Sequence, residues 1–558
     1  INRMVEFVED LPDDAPPSKF SDFKKILSQV NQHPSRSYFI YKTIIIHNLY
    51  GVDIIDEAVE ICKLRLFLKL VAQIDSVNHI EPLPDIDFNI RAGNTLVGFA
   101  TSDEVEQAVT RTLDFDNNLE KITDKAEDVQ ALYEVFLEAQ MEDDDSTGDF
   151  KAELRKKLDE LTNILNHYLA GEYGVDAKNK TKYDSWLRTH QPFHWFVEFY
   201  GILVNGGFDV IIGNPPYVEY SKVKNDYTIL NYKTEKCGNL YAFVIERCFT
   251  LIDEGSFQSL IVQLPIVCTD RMIPLQKELL NKSEKVWFNN FDDRPGKLFD
   301  GLEHIRATIF NTKKSLEIES SIFSTNYNRW YSEDRSSLFQ LQYLNDISGN
   351  IFEGAIPKIG NEIGKIVLQK LLPIKKLTEM IGKSSDHITY FHNSPQYWVR
   401  ATDFPPYFWN ERDGEKLSLQ VKPISIKKSN HTITTAVLNS SLFYWWFIVL
   451  SDCRHLNRRE IDNFCIDGNK IQTEENKLLS DILFKLMENY KINKARKETY
   501  YKTTGKVIYD EYYPKKSKII IDEIDKVLAE HYGFTEEELD FIINYDIKYR
   551  MGKELNPD

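Results

Sequence analysis

Residues 208–220 read FDVIIGNPPYVEY, and this stretch decides how the chain is interpreted. The apolar run at 208–213 predicts a buried strand, which ends abruptly at Asn214, Pro215, Pro216 and Tyr217. Each proline fixes φ and lacks a backbone N–H, so the strand cannot continue through them. Because ligands of open α/β sheets bind at the carboxyl ends of the strands, we expect a site here, with a plain strand-ending turn as the alternative.

The tetrapeptide after an apolar strand resembles the catalytic motif of amino-methyltransferases that use S-adenosylmethionine, above all the adenine-N6 DNA methyltransferases. The resemblance implies that Asn214, Pro215, Pro216 and Tyr217 are catalytic. The exocyclic amine of adenine is a poor nucleophile because its lone pair is delocalised into the ring. If the Asn214 side-chain oxygen and the Pro215 carbonyl accept its two N–H groups, the lone pair becomes available for attack on the methyl group.

Tyr217 offers an aromatic face on which the base can stack, and such stacking contributes about 1–3 kcal/mol. A base in duplex DNA reaches a pocket of this kind only after it is flipped out of the helix. The expected partner is therefore double-stranded DNA, and the expected cofactor is S-adenosylmethionine.

Residues 49–71, LYGVDIIDEAVEICKLRLFLKLV, form a second motif. A short strand is predicted to end at Asp53, and Asp56 and Glu57 then open an amphipathic helix. An acidic residue at a strand tip commonly accepts hydrogen bonds from ribose hydroxyls, although Asp53 could equally cap the helix. The segment resembles the second motif of large adenine methyltransferases of the type IIG restriction-modification (Eco57I-like) family, which implies that Asp53 and Ile54 contact the cofactor. The apolar stripe of the helix consists of Ile61, Leu64, Leu68 and Val71.

Residues 85–99, DIDFNIRAGNTLVGF, predict a strand at 88–91 followed by Gly93 and Asn94. Gly-Asn is a common turn dipeptide, so the pair alone is a weak signal. In the family that the chain resembles, the residue that matches Asn94 contacts the adenine of the cofactor. Its position between Asp53 and Asn214 follows the order of the family.

The family also carries a glycine-rich loop after its first strand, where the backbone approaches the methionine part of the cofactor. No such loop precedes Asp53 in the sequence. We therefore expect the chain to be the carboxyl-terminal part of a longer polypeptide whose upstream part carries the loop. Since the sequence shows no paired-carboxylate-plus-lysine nuclease signature, any nuclease is also expected in that upstream part.

The composition favours a large protein with ample core and no membrane partner. The chain has 558 residues, 42% of them hydrophobic, and a net charge of −18. Residues 101–160 hold 19 acidic and 7 basic side chains, whereas residues 351–470 hold 12 acidic and 16 basic ones, so the net charge does not exclude DNA. The six cysteines lack C-x-x-C spacing, which favours reduced, cytoplasmic thiols and predicts no metal site.

The predicted fold class is α/β: a Rossmann-like methyltransferase sheet with a helical insertion, then a mixed α/β target-recognition domain and a helical tail. In the loop at 294–301, Phe299 is predicted to pack against the flipped base, with a hydrophobic plug as the alternative. The tail is predicted as helices at 475–496 and 517–531 joined by a tyrosine-rich connection at 500–513. The predicted domains are 1–100 and 206–314 (methyltransferase core), 101–205 (acidic helical insertion, a solvated face), 315–470 (target recognition) and 471–558 (tail).

Residues 438–464 resemble segments of the target-recognition region of the family. The basic residues that follow its apolar run, which could meet phosphates or base edges or be ordinary surface charges, are Arg454, His455, Arg458 and Arg459. We therefore expect a site-specific adenine-N6 DNA methyltransferase of a restriction-modification or phage-defence system. The alternatives are a methyltransferase that acts on RNA or on protein glutamine, and a non-catalytic DNA-recognition or assembly fragment.

Overall fold

The computed structural model describes residues 2–12, 16, 19–111, 118–141, 146–299, 301, 304–316, 319–340, 342–382 and 387–552. The chain divides into two compact units. Unit 1 comprises residues 1–209, 219–232 and 243–253, and unit 2 comprises residues 210–218, 233–242 and 254–558.

Unit 1 is mainly helical and contains a small parallel sheet of β1 (Gly51–Asp53) and β2 (Ile90–Ala92). The Asn89 amide fixes the start of the sheet, since its Nδ2 donates to the carbonyls of Ile46 at 2.8 Å and Leu49 at 3.2 Å. The helices are α1 (Asn2–Glu9), α2 (Ser21–Gln32), α3 (Arg36–Asn48), α4 (Asp56–Val71), α5 (Ser102–Arg111), α6 (Asn118–Met141), α7 (Thr147–Glu172), α8 (Lys180–His190), α9 (Trp195–Glu198), α10 (Tyr200–Val204) and α11 (Tyr220–Val223).

The acidic insertion packs through one apolar seam. Along α7 the buried leucines recur three or four residues apart, so they lie on one face of the helix. Acidic side chains such as Asp159 and Glu160 lie on the opposite, exposed face. The charge of this segment is thus a solvated face, as predicted. The buried leucines are Leu154, Leu158, Leu161, Leu165 and Leu169.

The predicted amphipathic helix is present as α4, and its apolar stripe is exposed. Ile61 is 58%, Leu64 56%, Leu68 61% and Val71 46% exposed. The buried residues of the helix are Val59 and Leu70. The spacing of these residues in the sequence predicts the stripe, but it does not predict which element, if any, covers the stripe.

Unit 2 contains a six-stranded sheet in the order β3-β4-β6-β5-β7-β8. β6 is antiparallel to β4 and β5, and β7 is parallel to β5. The first two residues of β3 and of β4 belong to unit 1. The strands are β3 (Phe208–Gly213), β4 (Ile252–Gln263), β5 (Ser283–Phe291), β6 (Ala307–Lys314), β7 (Ser321–Asn328) and β8 (Asn345–Asp346).

β3 is an edge strand, so its prediction as a fully buried strand is wrong. Val210 is 57% and Ile212 76% exposed, and no strand among the described residues pairs with the outer edge of β3. The described strands therefore give a mixed α/β architecture of several sheets, with β1 and β2 in a sheet of their own.

Two smaller sheets complete the strands of unit 2, with the orders β10-β9-β13 and β12-β11-β15-β14. The predicted connection at 500–513 is wrong, because β14 and β15 form an antiparallel hairpin within the tail. Lys502, Thr503 and Thr504 make the turn between them, and Gly505, the first residue of β15, has φ +70°. The strands are β9 (Ile388–His392), β10 (Ala401–Thr402), β11 (Phe408–Asn410), β12 (Gly414–Glu415), β13 (Val421–Ser425), β14 (Ala495–Tyr501) and β15 (Gly505–Glu511).

The remaining helices are given in chain order. The first of them, like β3, has residues in both units. That helix ends at Leu251, and Gly255 lies within β4. The helices are α12 (Leu240–Leu251), α13 (Ile273–Asn281), α14 (Glu362–Leu371), α15 (His431–Asn439), α16 (Ser441–Leu450), α17 (Arg458–Asp462), α18 (Thr473–Asn493), α19 (Lys518–Tyr532), α20 (Glu536–Asn544) and α21 (Ile547–Met551).

α16 has all its residues buried. Its first turn is capped twice: Ser440 Oγ accepts from the Phe443 N–H at 3.0 Å, and the Asp525 carboxylate accepts from the Ser441 and Leu442 N–H groups at 3.0 and 3.1 Å. Among the described residues, no single helix is long and apolar enough to cross a membrane; a bent pair, residues 428–439 with α16, passes that test by length and composition alone.

Candidate functional site

The turn after β3 presents two hydrogen-bond acceptors in a rigid frame. Pro215 is buried, whereas Asn214 and Pro216 are exposed. Within the described part of the chain, neither the Asn214 side-chain amide nor the Pro215 carbonyl has a hydrogen-bond partner. Each proline fixes its own φ, which restricts the backbone of the turn that carries the Pro215 carbonyl.

Tyr217 is anchored by its hydroxyl, which donates to the Ile261 carbonyl of β4 at 2.9 Å. Its ring meets the Tyr241 ring edge-on, with 6.4 Å between centroids. Burial raises the pKa of Tyr217 to about 12, so the hydroxyl stays protonated near neutral pH. The hydroxyl is therefore not suited to proton transfer near neutral pH, and the half-buried ring face is the part of the residue that a ligand could contact.

Asp53 lies at the exposed carboxyl end of β1. Its Oδ1 accepts from the Ile55 N–H at 2.9 Å, which closes a local turn before α4. The N-cap residue of α4 is Ile55, so this bond does not make Asp53 the helix cap, and it engages only one carboxylate oxygen. Ile54, beside it, is 38% exposed. The strand tip thus offers a second carboxylate oxygen and an apolar side chain to a ligand.

Asn94 follows the neighbouring strand β2, and the Gly93 N–H donates to the Asp53 carbonyl at 2.9 Å. Asn94 is 3% exposed, and its Oδ1 accepts from the Leu96 N–H at 3.1 Å. Its Nδ2 is buried and has no partner among the described residues. A buried unpaired donor costs about 1–3 kcal/mol, which a ligand with a hydrogen-bond acceptor would recover. The residue therefore fits an adenine-binding role.

The Asn94 turn is held by a close contact that sequence reasoning missed. A Cβ at Gly93 would lie 2.8 Å from Phe193 Cδ2, so only glycine fits there. The Asn94 N–H also donates to the Gln191 carbonyl at 2.8 Å. The apolar residues at 191–200 indicate a segment that packs in the core. They do not indicate this particular contact with the Asn94 turn.

His194 is a packing residue, as predicted. Its Nδ1 accepts from the Phe99 N–H at 3.2 Å, and its Nε2 lies 3.1 Å from Asn166 Oδ1. Burial lowers the pKa of His194 to about 3, so the ring is neutral. A neutral, fully bonded imidazole in the core has no capacity for acid–base chemistry.

The loop that carries Phe299 has its hydrophobic plug one residue earlier. Leu298 is buried in a cluster with Phe291, Trp330 and Leu338. Phe299 itself is 38% exposed. The alternative reading of Phe299 as the plug therefore loses its support, because Leu298 fills that role.

The four basic residues after α16 differ in how they are engaged. Arg459 is held inside the fold: it donates to Asp270 Oδ1 at 2.7 Å and to the carbonyls of Cys268 at 2.6 Å and Leu450 at 3.3 Å. Arg458 pairs with Asp462 at 3.0 Å, and His455 lies 3.5 Å from Asp452. The Arg454 side chain is exposed and has no partner among the described residues. These contacts favour a structural role for Arg459.

The predicted residues fall into both units. Asp53, Ile54 and Asn94 lie in unit 1, where adjacent parallel strands bring Asp53 and Asn94 to the same sheet edge. The other predicted site residues lie in unit 2; they are Asn214, Pro215, Pro216, Tyr217, Phe299, Arg454, His455, Arg458 and Arg459.

Comparison with known sequences identifies one family. Residues 47–295 match the sequence model of a family described as Eco57I restriction-modification methylase. A putative type II restriction enzyme and methyltransferase of Methanocaldococcus jannaschii is 29% identical over 47% of this chain and 26% of its own length. The chain thus spans about a quarter of the length of this relative.

Solved structures of restriction-modification enzymes show a weaker likeness. The type IIL enzyme MmeI, solved in complex with DNA, matches with a TM-score of 0.36 and 10% identity over 94% of this chain and 78% of its own. The type IIG restriction endonuclease BpuSI matches with a TM-score of 0.23 and 10% identity over 64% and 55%. At this level of similarity neither structure adds an argument about individual residues.

Proposed function

We propose that this chain, whose residues 47–295 match the sequence model of the Eco57I restriction-modification methylase family, is part of a site-specific DNA methyltransferase that modifies adenine at N6. The substrate is double-stranded DNA, and the biological setting is a restriction-modification or phage-defence system. The observation that carries the proposal is the pair of unengaged acceptors at Asn214 and Pro215 beside the anchored ring of Tyr217.

The chemistry of the proposed step follows from these acceptors. The Asn214 side-chain oxygen and the Pro215 carbonyl accept the two N–H groups of the adenine amine. This withdraws the nitrogen from conjugation with the purine and directs its lone pair toward the methyl donor. The flipped base stacks on Tyr217, whose hydroxyl bond to β4 fixes the ring. Phe299, exposed beside its buried neighbour Leu298, packs against the base in this proposal.

The proposed cofactor, S-adenosylmethionine, supplies an electrophilic methyl group when bound. Asp53 accepts from its ribose hydroxyls, Ile54 lies against its adenine, and Asn94 meets the adenine edge. The buried, unpaired Nδ2 of Asn94 supports this assignment, since a polar ligand atom would satisfy it.

The proposal includes an upstream segment of the same polypeptide that carries the glycine-rich loop and completes a Rossmann-like sheet. Two separate surfaces support it. In unit 1 the stripe of α4 exposes four large apolar side chains, and in unit 2 the outer edge of β3 exposes Val210 and Ile212. Exposed apolar patches on a folded domain mark surfaces that another element covers.

DNA recognition is proposed for the region after residue 315. Arg454, His455 and Arg458 are exposed and available to phosphates or base edges, whereas Arg459 already satisfies its donors within the fold. In this proposal Arg459 positions the segment and its three neighbours meet DNA.

The test is methylation of duplex DNA by the full-length protein with Asn214→Ala. We expect methyl transfer to fall by about 100-fold or more, because one of two acceptors for the reacting amine is lost. Folding should be unchanged, since Asn214 is exposed and unbonded. Asn163→Ala, an exposed residue of α7, is the matched control and should leave activity intact. Undiminished methylation by Asn214→Ala would refute the assignment.

The same assay separates the alternatives. Duplex DNA, RNA and a glutamine-containing protein are offered side by side, and the proposal requires that duplex DNA be the preferred acceptor. Titration of S-adenosylmethionine against the full-length protein and against this chain then tests the upstream segment. Tight binding by the full-length protein alone would support it, whereas equal binding by both would contradict it.

A further inference from the structure

Unit 2 contains a cleft of about 870 Å³. None of the predicted site residues lines it. Its lining comes from β9, β11, β13, β15 and α21, so it involves both smaller sheets. A volume of this size is typical of small-molecule and nucleotide sites.

The walls of the cleft are rich in aromatic rings. Aromatic side chains are common in sites that bind nucleobases. Every base has a π-face and stacks on an aromatic ring whatever the identity of the base. The aromatic residues that line the cleft include Tyr397, Trp398, Tyr407, Phe408, Tyr509 and Tyr512.

Arg400 contributes a cation to this lining. Its guanidinium lies over the Tyr512 ring, 4.5 Å from the centroid. Among the described residues it has no carboxylate and no hydrogen-bond acceptor. A guanidinium carries five N–H donors in a planar fork, which matches a phosphate or carboxylate. Such a group in a cleft indicates an anionic ligand.

The other arginines at the cleft are satisfied by the protein. Arg550 lies 3.9 Å from the Trp398 ring and donates to the Tyr397 carbonyl at 3.1 Å and to Ser441 Oγ at 3.2 Å. Arg496 lies 3.8 Å from the Tyr407 ring and pairs with Asp510. They fix the aromatic walls, whereas the donors of Arg400 remain available.

The lining also contains the cations Arg550 and Lys515, and its remaining polar groups do not pair with Arg400. His392 lies between the Ser394 N–H at 3.3 Å and Gln420 Oε1 at 3.4 Å. Burial, and then the charge of Arg400, lower the pKa of His392 to about 4, so it is neutral near pH 7. Asp510 and Glu511 are engaged, Asp510 by Lys494 and Arg496, and Glu511 by Lys497 and Tyr513.

We propose that this cleft binds one unpaired nucleotide of a DNA strand, with the base stacked on the aromatic walls and the phosphate on the Arg400 guanidinium. The proposal rests on the proposed function only in that DNA is the partner. It assigns a second nucleotide site, made of residues other than those that hold the reacting adenine.

The experiment is a fluorescence titration of the whole chain with a short single-stranded oligonucleotide, with an abasic strand of the same length, and with inorganic phosphate. The Trp398 signal is isolated as the difference between the wild type and Trp398→Phe. We expect the oligonucleotide to quench Trp398, and Arg400→Gln to weaken its binding by about tenfold or more. Lys422→Gln, which removes an exposed charge from β13, is the matched control and should change binding less than about twofold.

Each outcome decides the proposal. Weak binding of the abasic strand and of phosphate supports a site that needs both base and phosphate. Equal binding of phosphate and oligonucleotide, equal effects of the Arg400 and Lys422 variants, or an unchanged Trp398 signal would overturn it. Asn214→Ala should retain this binding. If this chain binds the oligonucleotide here but the full-length protein transfers no methyl group to DNA, the proposed function fails and this site stands.

Discussion

α16 and α4 both carry several large apolar side chains. Those of α16 are buried, whereas those of the α4 stripe are exposed. In α16 every residue is buried and the first turn is capped by Ser440 and Asp525. In α4 the buried residues are Val59 and Leu70, and the apolar stripe faces outward. The difference shows that apolar content alone does not determine burial. α16 is apolar around its whole circumference, so its own domain must enclose it, whereas α4 has a single stripe that a separate element can cover.

The largest expected effect in this comparison comes from α16. Trp446 is 1% exposed, its Nε1 donates to the Glu460 carbonyl at 3.0 Å, and its ring meets Phe464 edge-on at 5.5 Å. Trp446→Ala should lower the free energy of unfolding by about 3–5 kcal/mol, because it leaves a cavity and an unpaired carbonyl. Urea denaturation measures this. A loss below about 1 kcal/mol would mean that the helix is not enclosed as described.

An intermediate effect is expected from the cap of α16. Burial outweighs the two backbone N–H bonds and raises the pKa of Asp525 to about 6, against about 3.9 in an unfolded chain. A carboxyl group with a raised folded pKa stabilises the fold when protonated, and this contribution is lost as the pH rises through the folded value. Relative to Asp525→Asn, the wild type should lose about 2 kcal/mol of unfolding free energy between about pH 4.5 and about pH 7.

The control for that measurement is Asp540→Asn, on the exposed face of α20. Its difference from the wild type should stay nearly constant over the same interval. A flat difference for Asp525→Asn as well would show that the carboxylate is charged in the folded state throughout.

The smallest expected effect is on the exposed stripe. Leu68 is 61% exposed, so Leu68→Ala in this chain should change the free energy of unfolding by no more than about 0.5 kcal/mol. The same substitution in the full-length protein should cost more, since the proposed upstream segment covers the stripe. Equal and small losses in both proteins would argue that the stripe stays open to solvent.

Local signals predicted much of the fold. The helix predicted at 475–496 is α18, and the capping box at Thr535 and Glu538 is present. These features depend on neighbours a few residues away. The β14–β15 hairpin was missed because residues 495–501, ARKETYY, show no alternation of apolar and polar residues that would indicate a strand. The sheet pairing of the hairpin involves β11, about a hundred residues earlier in the chain.

The candidate site was predictable as a set of residue types, and the resemblance to the Eco57I-like family is confirmed by the match over residues 47–295. The anchors were not predictable. Tyr217 is fixed by a carbonyl 44 residues away, and Leu298 rather than Phe299 fills the core beneath its loop. Such choices depend on long-range packing, which no short motif encodes. The roles of the individual site residues remain predictions.

The anchoring of Arg459 has a consequence for engineering. Since Arg459 ties its segment to the carbonyls of Cys268 and Leu450 and to Asp270, the segment keeps its backbone when neighbouring side chains change. Arg454, His455 and Arg458 can therefore be randomised together in a combinatorial library while Arg459 is kept constant. Under the proposed function, in which these three residues meet DNA, selection of such a library on host DNA would yield variants with altered sequence preference from a scaffold that still folds.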